Sequence, residues 1–170
     1  MDLKSYIREI PDFPQKGVSF KDITTLLKDG EAFKYAIDQL ASKVEHLGAE
    51  AVVSPEARGF VVGGALAYRL GTGFVPARKA GKLPCEALSG TYTLEYGVDC
   101  LEIHKDAIRP GQRVIVCDDL LATGGTISVV ANMVKELGGS VAAVAFLIEL
   151  TYLPGREALK GYDVISLIRY

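Results

Sequence analysis

The sequence predicts an α/β protein in which a parallel sheet core is flanked by helices. Apolar runs at 51–54, 74–77, 114–117 and 141–150 read as strands, and Val114–Cys117 is short and unbroken enough to be buried on both faces. Helical periodicity at 31–47, 59–70 and 127–137 alternates with those runs, the spacing of βαβ units. The stretch VIVCDDLLATGGT, Val114 to Thr126, places two acids and a glycine turn between a strand and a helix. That is how α/β proteins build a ligand site at the carboxyl edge of a sheet.

In chain order, Leu3, Tyr6, Ile7 and Ile10 sit at helical spacing, so residues 2–9 read as a short amphipathic helix ended by Pro11. Residues 11–17 are loop and turn, and Val18-Ser19-Phe20 adds a short extended piece. The helix over Glu31–Leu47 carries Phe33, Ile37, Leu40, Val44 and Leu47 on one side and stops at Gly48. Pro55 closes the strand at 51–54, and Glu56-Ala57-Arg58 then occupies a strand-to-helix junction, a position that accepts anions. In the buried helix that follows, Gly63-Gly64 suggests close approach of another backbone. After the strand at 74–77, Arg78-Lys79-Ala80-Gly81-Lys82 crowds three cations into five residues. A solvated charge run is the plain reading of such a cluster; a mobile basic loop that closes on a polyanion is the sharper one. Thr91–Leu94 and Cys100–Ile103 alternate as a hairpin that would extend from the core and act as a lid. Residues 109–112 turn into the 114–126 stretch. Its helix, with Ile127, Val130, Ala131, Val134 and Leu137 on one face, stops at Gly138-Gly139. The strand at 141–150 completes a right-handed βαβ unit, and a polar connection around Pro154-Gly155 leads to a last strand at 163–168.

The chain of 170 residues has the length of a single domain, 1–170, and shows no internal repeat or linker. A net charge of −2 argues against a general nucleic-acid surface, so an anionic substrate must be met by local cations. Three cysteines and two histidines support neither a disulfide framework nor a zinc site, and no residue is assigned to a protein metal site. The expected compartment is a reducing cytoplasm. Met1–Ile10 lacks the apolar core of a signal peptide, and no segment is apolar enough to span a bilayer.

The chemistry of the 114–126 stretch follows from its residue types. Gly124 and Gly125 permit a tight turn in which successive N–H groups of Ala122, Thr123, Gly124, Gly125 and Thr126 converge on one anion. The helix N-terminus adds unpaired N–H groups and partial positive charge, and the two threonine hydroxyls can donate. Asp118 and Asp119 repel phosphate but accept hydrogen bonds from vicinal sugar hydroxyls. Phosphate on the loop and a ribose diol on the acids together describe a 5′-phosphoribosyl group. Rival phosphate loops fail on spacing: Gly81-Lys82 is followed by Leu83 and not Ser or Thr, and Gly71-Thr72-Gly73 lacks the third glycine of a dinucleotide fingerprint.

VIVCDDLLATGGT resembles the phosphoribosyl-diphosphate motif of the type I phosphoribosyltransferases. Further stretches resemble the adenine phosphoribosyltransferases: FPQKGVSFKDIT (13–25), EARGF (56–60), RKAGKLP (78–84), TYTLEYG (91–97) and IELTYLPGRE (148–157). The resemblance covers essentially the whole chain. It implies a type I phosphoribosyltransferase-like fold with an N-terminal hood over about residues 1–30 and a flexible lid over about 78–104. It also implies transfer of the 5-phosphoribosyl group from 5-phosphoribosyl diphosphate to adenine, giving AMP and diphosphate in purine salvage. On that resemblance Val18, Ser19, Phe20 and Lys21 bind the base, with Phe20 stacked on it; Arg58, Arg78, Lys79, Lys82 and Tyr96 bind diphosphate; and Glu95 is the catalytic carboxylate. Lys21 stands where some relatives carry arginine, which keeps a charge but loses the planar fork. Mg2+ is expected on the substrate's diphosphate, with few protein ligands, and a homodimer is expected from the habit of relatives. A xanthine or guanine phosphoribosyltransferase would share the loop and differ at the hood. A purine-responsive regulator with this fold would need an added helix-turn-helix or a basic face, for which the chain has no room.

Overall fold

The computed structural model describes residues 1–94 and 97–170. A 3-10 turn at Leu3–Tyr6 opens the chain, with the Asp2 carboxylate accepting from Lys4 N at 3.0 Å. The helix expected to run to residue 9 stops there. Strand β1 (Arg8–Ile10) instead pairs antiparallel with β2 (Phe20–Asp22), forming a separate two-stranded sheet. A helix of that length is marginal alone. The extended path keeps Leu3 and Ile7 buried and lets Arg8 reach the Asp22 carboxylate at 3.0 and 2.6 Å.

The helices α1 (Thr24–Leu27) and α2 (Gly30–Val44) follow. Asp29 caps α2, its side chain accepting from Glu31 N and Ala32 N. A 3-10 turn at Glu45–Leu47 and the left-handed Gly48 end it, as the sequence suggests. Next come β3 (Ala51–Pro55), α3 (Arg58–Leu70), β4 (Gly73–Lys79), β5 (Ala87–Leu94), β6 (Gly97–His104) and β7 (Arg113–Leu121). Then α4 (Gly125–Glu136), β8 (Ser140–Glu149), the short α5 (Gly155–Ala158) and β9 (Val164–Arg169) complete the chain.

These strands form one sheet in the order β5-β6-β4-β3-β7-β8-β9. From β4 to β9 every pair is parallel; β6 pairs antiparallel with β4, and β5 with β6. The hairpin expected to project from the core extends the sheet at one edge and is joined to it where β6 pairs with β4, at Arg78↔Glu102 and Lys79↔Leu101. A side chain at Gly90 on β5 would collide with Val129 and Met133 of α4, so the hairpin also lies tight against a helix.

Strand residues alternate between two cores. Val52, Ile115, Cys117, Ala145 and Leu147 pack with Ile37 and Leu40 of α2 and Val62 and Leu66 of α3. Val53, Val114, Val116, Val144 and Phe146 pack with Ile127, Val130 and Val134 of α4 on the other face. Apolar demand on both faces is why these strands read as continuous hydrophobic runs. Of the Gly63-Gly64 pair, Gly63 alone marks a close approach, and it is to side chains and not to a backbone: a Cβ there would strike Ser54 Oγ, whereas at Gly64 nothing lies within 4 Å. Among the described residues no helix is long and apolar enough to cross a membrane.

The strand order reverses between β3 and β7, since the chain after β3 passes to β4 on one side and β7 lies on the other. In open α/β sheets the crevice outside the carboxyl ends at such a point is where ligands bind.

Candidate active site

The carboxyl ends of β3 and β7 carry the Glu56-Ala57-Arg58 junction and the acidic pair. β7 runs longer than expected, so Asp118 and Asp119 belong to the strand itself. Asp119 is buried, and its Oδ2 accepts from Arg58 Nε at 2.5 Å, a bond across the switch point. Asp118 Oδ1 accepts from Asp119 N at 2.8 Å and lies against the first turn of α3. A Cβ at Gly59 would come within 2.7 Å of that oxygen, so a residue without a side chain is what admits the carboxyl. Burial, and secondarily the Asp119 charge, push the Asp118 carboxyl well above its ordinary value.

Past the acids, Leu120–Ile127 and Asp118 line a cavity of ≈ 90 Å³. Gly124 adopts φ +81 and caps α4 without a side-chain hydrogen bond, which leaves the helix's first N–H groups for an anion. A Cβ at Gly124 would sit 2.8 Å from Gly155 O and 3.0 Å from Ala158 Cβ. The turn of α5 is thus a backstop for the loop. Its anchor is Glu149, 3% exposed, which accepts from Arg156 Nε at 2.5 Å, Arg156 Nη2 at 2.8 Å and Ser166 Oγ at 2.5 Å. Arg156 holds the Glu149 carboxyl below its ordinary value.

On the β3 side, Arg78 and Lys79 are the last residues of β4 and Lys82 follows in the turn. Glu56 gathers them. Its Oε1 accepts from Lys79 N at 2.7 Å, its Oε2 from Lys82 Nζ at 2.8 Å, and Arg78 Nε lies 3.4 Å from Oε1. The bond from Lys82 is the main reason its carboxyl sits below the usual value. The Lys79 ammonium is bonded to Asp99, which also accepts from Tyr92 Oη at 3.1 Å.

The hood reaches this edge through Phe20. Its half-buried ring meets Phe13 edge-on at 5.2 Å, and the Arg58 guanidinium carbon lies 5.6 Å from its centroid. Alternation along β2 sends Lys21 elsewhere. The Lys21 ammonium is bonded to Glu9 Oε2 at 2.6 Å and Ser19 Oγ at 3.1 Å, and it lies 4.2 Å from the centroid of the Tyr170 ring.

The phosphoribosyl transferase domain family matches residues 24–166. Adenine phosphoribosyltransferase from Alkaliphilus oremlandii is 61% identical over 170 residues, covering 100% of this chain and 99% of that protein. The chain belongs to the adenine phosphoribosyltransferases. The crystal structure of the Thermoanaerobacter pseudethanolicus adenine phosphoribosyltransferase superposes with a TM-score of 0.96 at 60% identity, covering 99% of this chain and 98% of that one. The Saccharomyces cerevisiae enzyme, crystallised with D-2,5-dideoxy-2,5-imino-altritol 1,6-bisphosphate and adenine, gives 0.92 at 38% identity over 96% and 94%.

In this adenine phosphoribosyltransferase the structure brings Phe20, Arg58, Asp118, Asp119 and the 122–126 loop to one edge, with Arg78 and Lys82 joined to it through Glu56. It does not bring the Lys21 ammonium there, because that charge is satisfied by Glu9 behind the hood. Val18 is exposed and Ser19 half-buried beside Phe20. Glu95 and Tyr96 lie outside the described residues. Sequence reasoning missed Glu56, Asp99 and the Glu149–Arg156 pair. Glu56 carried a signal, an acid two residues before a site arginine; Glu149 and Arg156 did too, flanking a Pro-Gly turn.

Proposed function

We propose that this chain transfers the 5-phosphoribosyl group from 5-phosphoribosyl 1-diphosphate to adenine, forming AMP and diphosphate, in purine salvage. The observation that carries the reading is Arg58, which at once bonds Asp119 and lies against the Phe20 ring. Through it Phe20, Arg58, Asp119 and the loop that follows them on the same edge are neighbours, which supports base, diphosphate, ribose and phosphate sites side by side.

In the reaction the bond from the anomeric carbon to diphosphate breaks and a bond from that carbon to an adenine imidazole nitrogen forms, with positive charge building on the ribose. The 122–126 N–H groups hold the 5′-phosphate, and Asp118 and Asp119 accept from the ribose hydroxyls. Arg58, Arg78, Lys79 and Lys82 balance the leaving diphosphate, and Tyr96 donates a hydrogen bond to it. Phe20 stacks on adenine beside the backbone of Val18 and Ser19. Glu95 takes the displaced ring proton, a contribution of about 10²–10⁴-fold in such reactions. Mg2+ bound to the diphosphate would supply further charge neutralisation. The residues fit an ion held chiefly by substrate, since Asp118 and Asp119 offer hard oxygen donors at the ribose. A homodimer in the cytoplasm is part of the proposal; for the dimer, Val61, Tyr68 and Phe74 leave apolar surface exposed on α3 and β4. The test is stoichiometry. AMP and diphosphate should appear in equal amounts from adenine and phosphoribosyl diphosphate, stop on chelation and resume with Mg2+; diphosphate released without AMP would sink the assignment.

A further inference from the structure

The junction after β3 holds a carboxylate for which the proposed reaction has no use. The Glu56 side chain is 12% exposed, and every partner it has in the 78–82 segment is a donor: the Lys79 N–H, the Lys82 ammonium and the Arg78 guanidinium. The Arg78 contact is loose. Its Nε is buried, not aligned for a hydrogen bond with Glu56, and has no hydrogen-bond partner among the described residues. Two of the cations assigned to diphosphate therefore face an internal anion, and one of them keeps an unused donor.

Carboxylate and phosphate oxygens compete for the same donors. We propose that Glu56 is a positioning residue that holds Arg78 and Lys82 beside Arg58 and competes with diphosphate for them, setting how tightly diphosphate is bound and how fast it leaves. The identity of the ligand rests on the function proposed above. Two contacts divide the work. The Lys79 N–H bond fixes the main chain of the basic segment to the end of β3, whereas the Lys82 ion pair is the part a diphosphate oxygen replaces. A ligand with no diphosphate leaves the pair intact, so AMP is indifferent to it.

Glu56→Gln removes the charge and keeps an oxygen for the Lys79 N–H. Titration calorimetry with magnesium pyrophosphate and, separately, AMP should show pyrophosphate binding tightened roughly two- to fivefold, the scale of a partly screened ion pair. AMP affinity should stay within about twofold. In steady state, KM for phosphoribosyl diphosphate and kcat should fall together, because held product slows turnover. In a Lys82→Ala background the gain from Glu56→Gln should shrink to less than half, since the competitor and the contested cation act as a pair. Glu56→Asp, which draws the carboxylate back by one methylene, should tighten pyrophosphate less but in the same direction, and it serves if the glutamine variant does not fold. Unchanged or weaker pyrophosphate binding in these variants, or an equal gain for AMP, overturns the inference. If the wild-type protein binds neither ligand, the proposed function falls and this inference with it. If it binds both and the variants do not discriminate, only the inference falls.

Discussion

Replacing Gly124 with alanine adds one methyl group at the most crowded point of the phosphate loop. Two costs add. An L-residue at φ +81 is disfavoured by about 1–2 kcal/mol. The new Cβ would lie 2.8 Å from the Gly155 carbonyl oxygen and 3.0 Å from Ala158 Cβ. Overpacking of that kind costs about 1–3 kcal/mol, because one of the neighbours is backbone and cannot rotate away. The sum, about 2–5 kcal/mol, is a sizeable share of the roughly 5–15 kcal/mol that holds a domain folded. At about 2–4 °C per kcal/mol for a chain of this size, the melting temperature should fall by about 4–20 °C. Relief by moving the loop away from α5 would instead spread the N–H groups and weaken AMP binding. Gly125→Ala is the control: φ there is not positive and nothing lies within 4 Å of the added atom, so heat stability should hold within about 2 °C. Calorimetric melting and AMP titration of both variants decide it. A Gly124→Ala protein that melts and binds AMP like the wild type would refute the backstop geometry and the anion nest together.

Glu95→Gln keeps the side-chain shape but cannot take a proton. Single-turnover AMP formation should slow by about 10²–10⁴-fold with adenine affinity kept, and a change under about threefold would return proton removal to water. Lys82→Ala should weaken phosphoribosyl diphosphate and leave AMP nearly unaffected; equal losses by calorimetry would remove it from the diphosphate site. Asp118→Asn should raise the melting temperature of the ligand-free protein at neutral pH while weakening AMP. The Asp118 carboxyl titrates above its unfolded value of 3.8, so the stability it gives at low pH is lost as pH rises through the folded value. An asparagine escapes that loss, and parallel melting-versus-pH curves for the two proteins would contradict the assignment.

The sheet was legible because buried strands and amphipathic helices have different periods, and 51–53, 114–117 and 144–148 send apolar side chains to both faces. The phosphate loop was legible because its chemistry is local: strand, acids, glycines and helix are consecutive. Residues 2–9 were misread because a helical spacing of four apolar residues also suits a turn followed by a strand, and only the partner strand at 20–22 decides between them. The hairpin's place in the sheet depends on pairing with β4, a long-range contact to which strand alternation is blind. The resemblance assigns Lys21 to the base; on β2 its side chain leaves on the opposite face from Phe20, where its ammonium bonds Glu9, a contact that sequence alone does not show. Glu56 and Arg156 escaped because their partners lie across turns, so that their roles appear only when the chain is folded.

Base choice tests the proposed reaction most directly. Equimolar adenine, guanine, hypoxanthine and xanthine, incubated with phosphoribosyl diphosphate and Mg2+, compete for one enzyme, and mass spectrometry of the nucleotides formed reads their relative kcat/KM directly. AMP should be the overwhelming product, with diphosphate released in equal amount. GMP, IMP or XMP accumulating at a rate comparable to AMP, or no nucleotide at all, would contradict it.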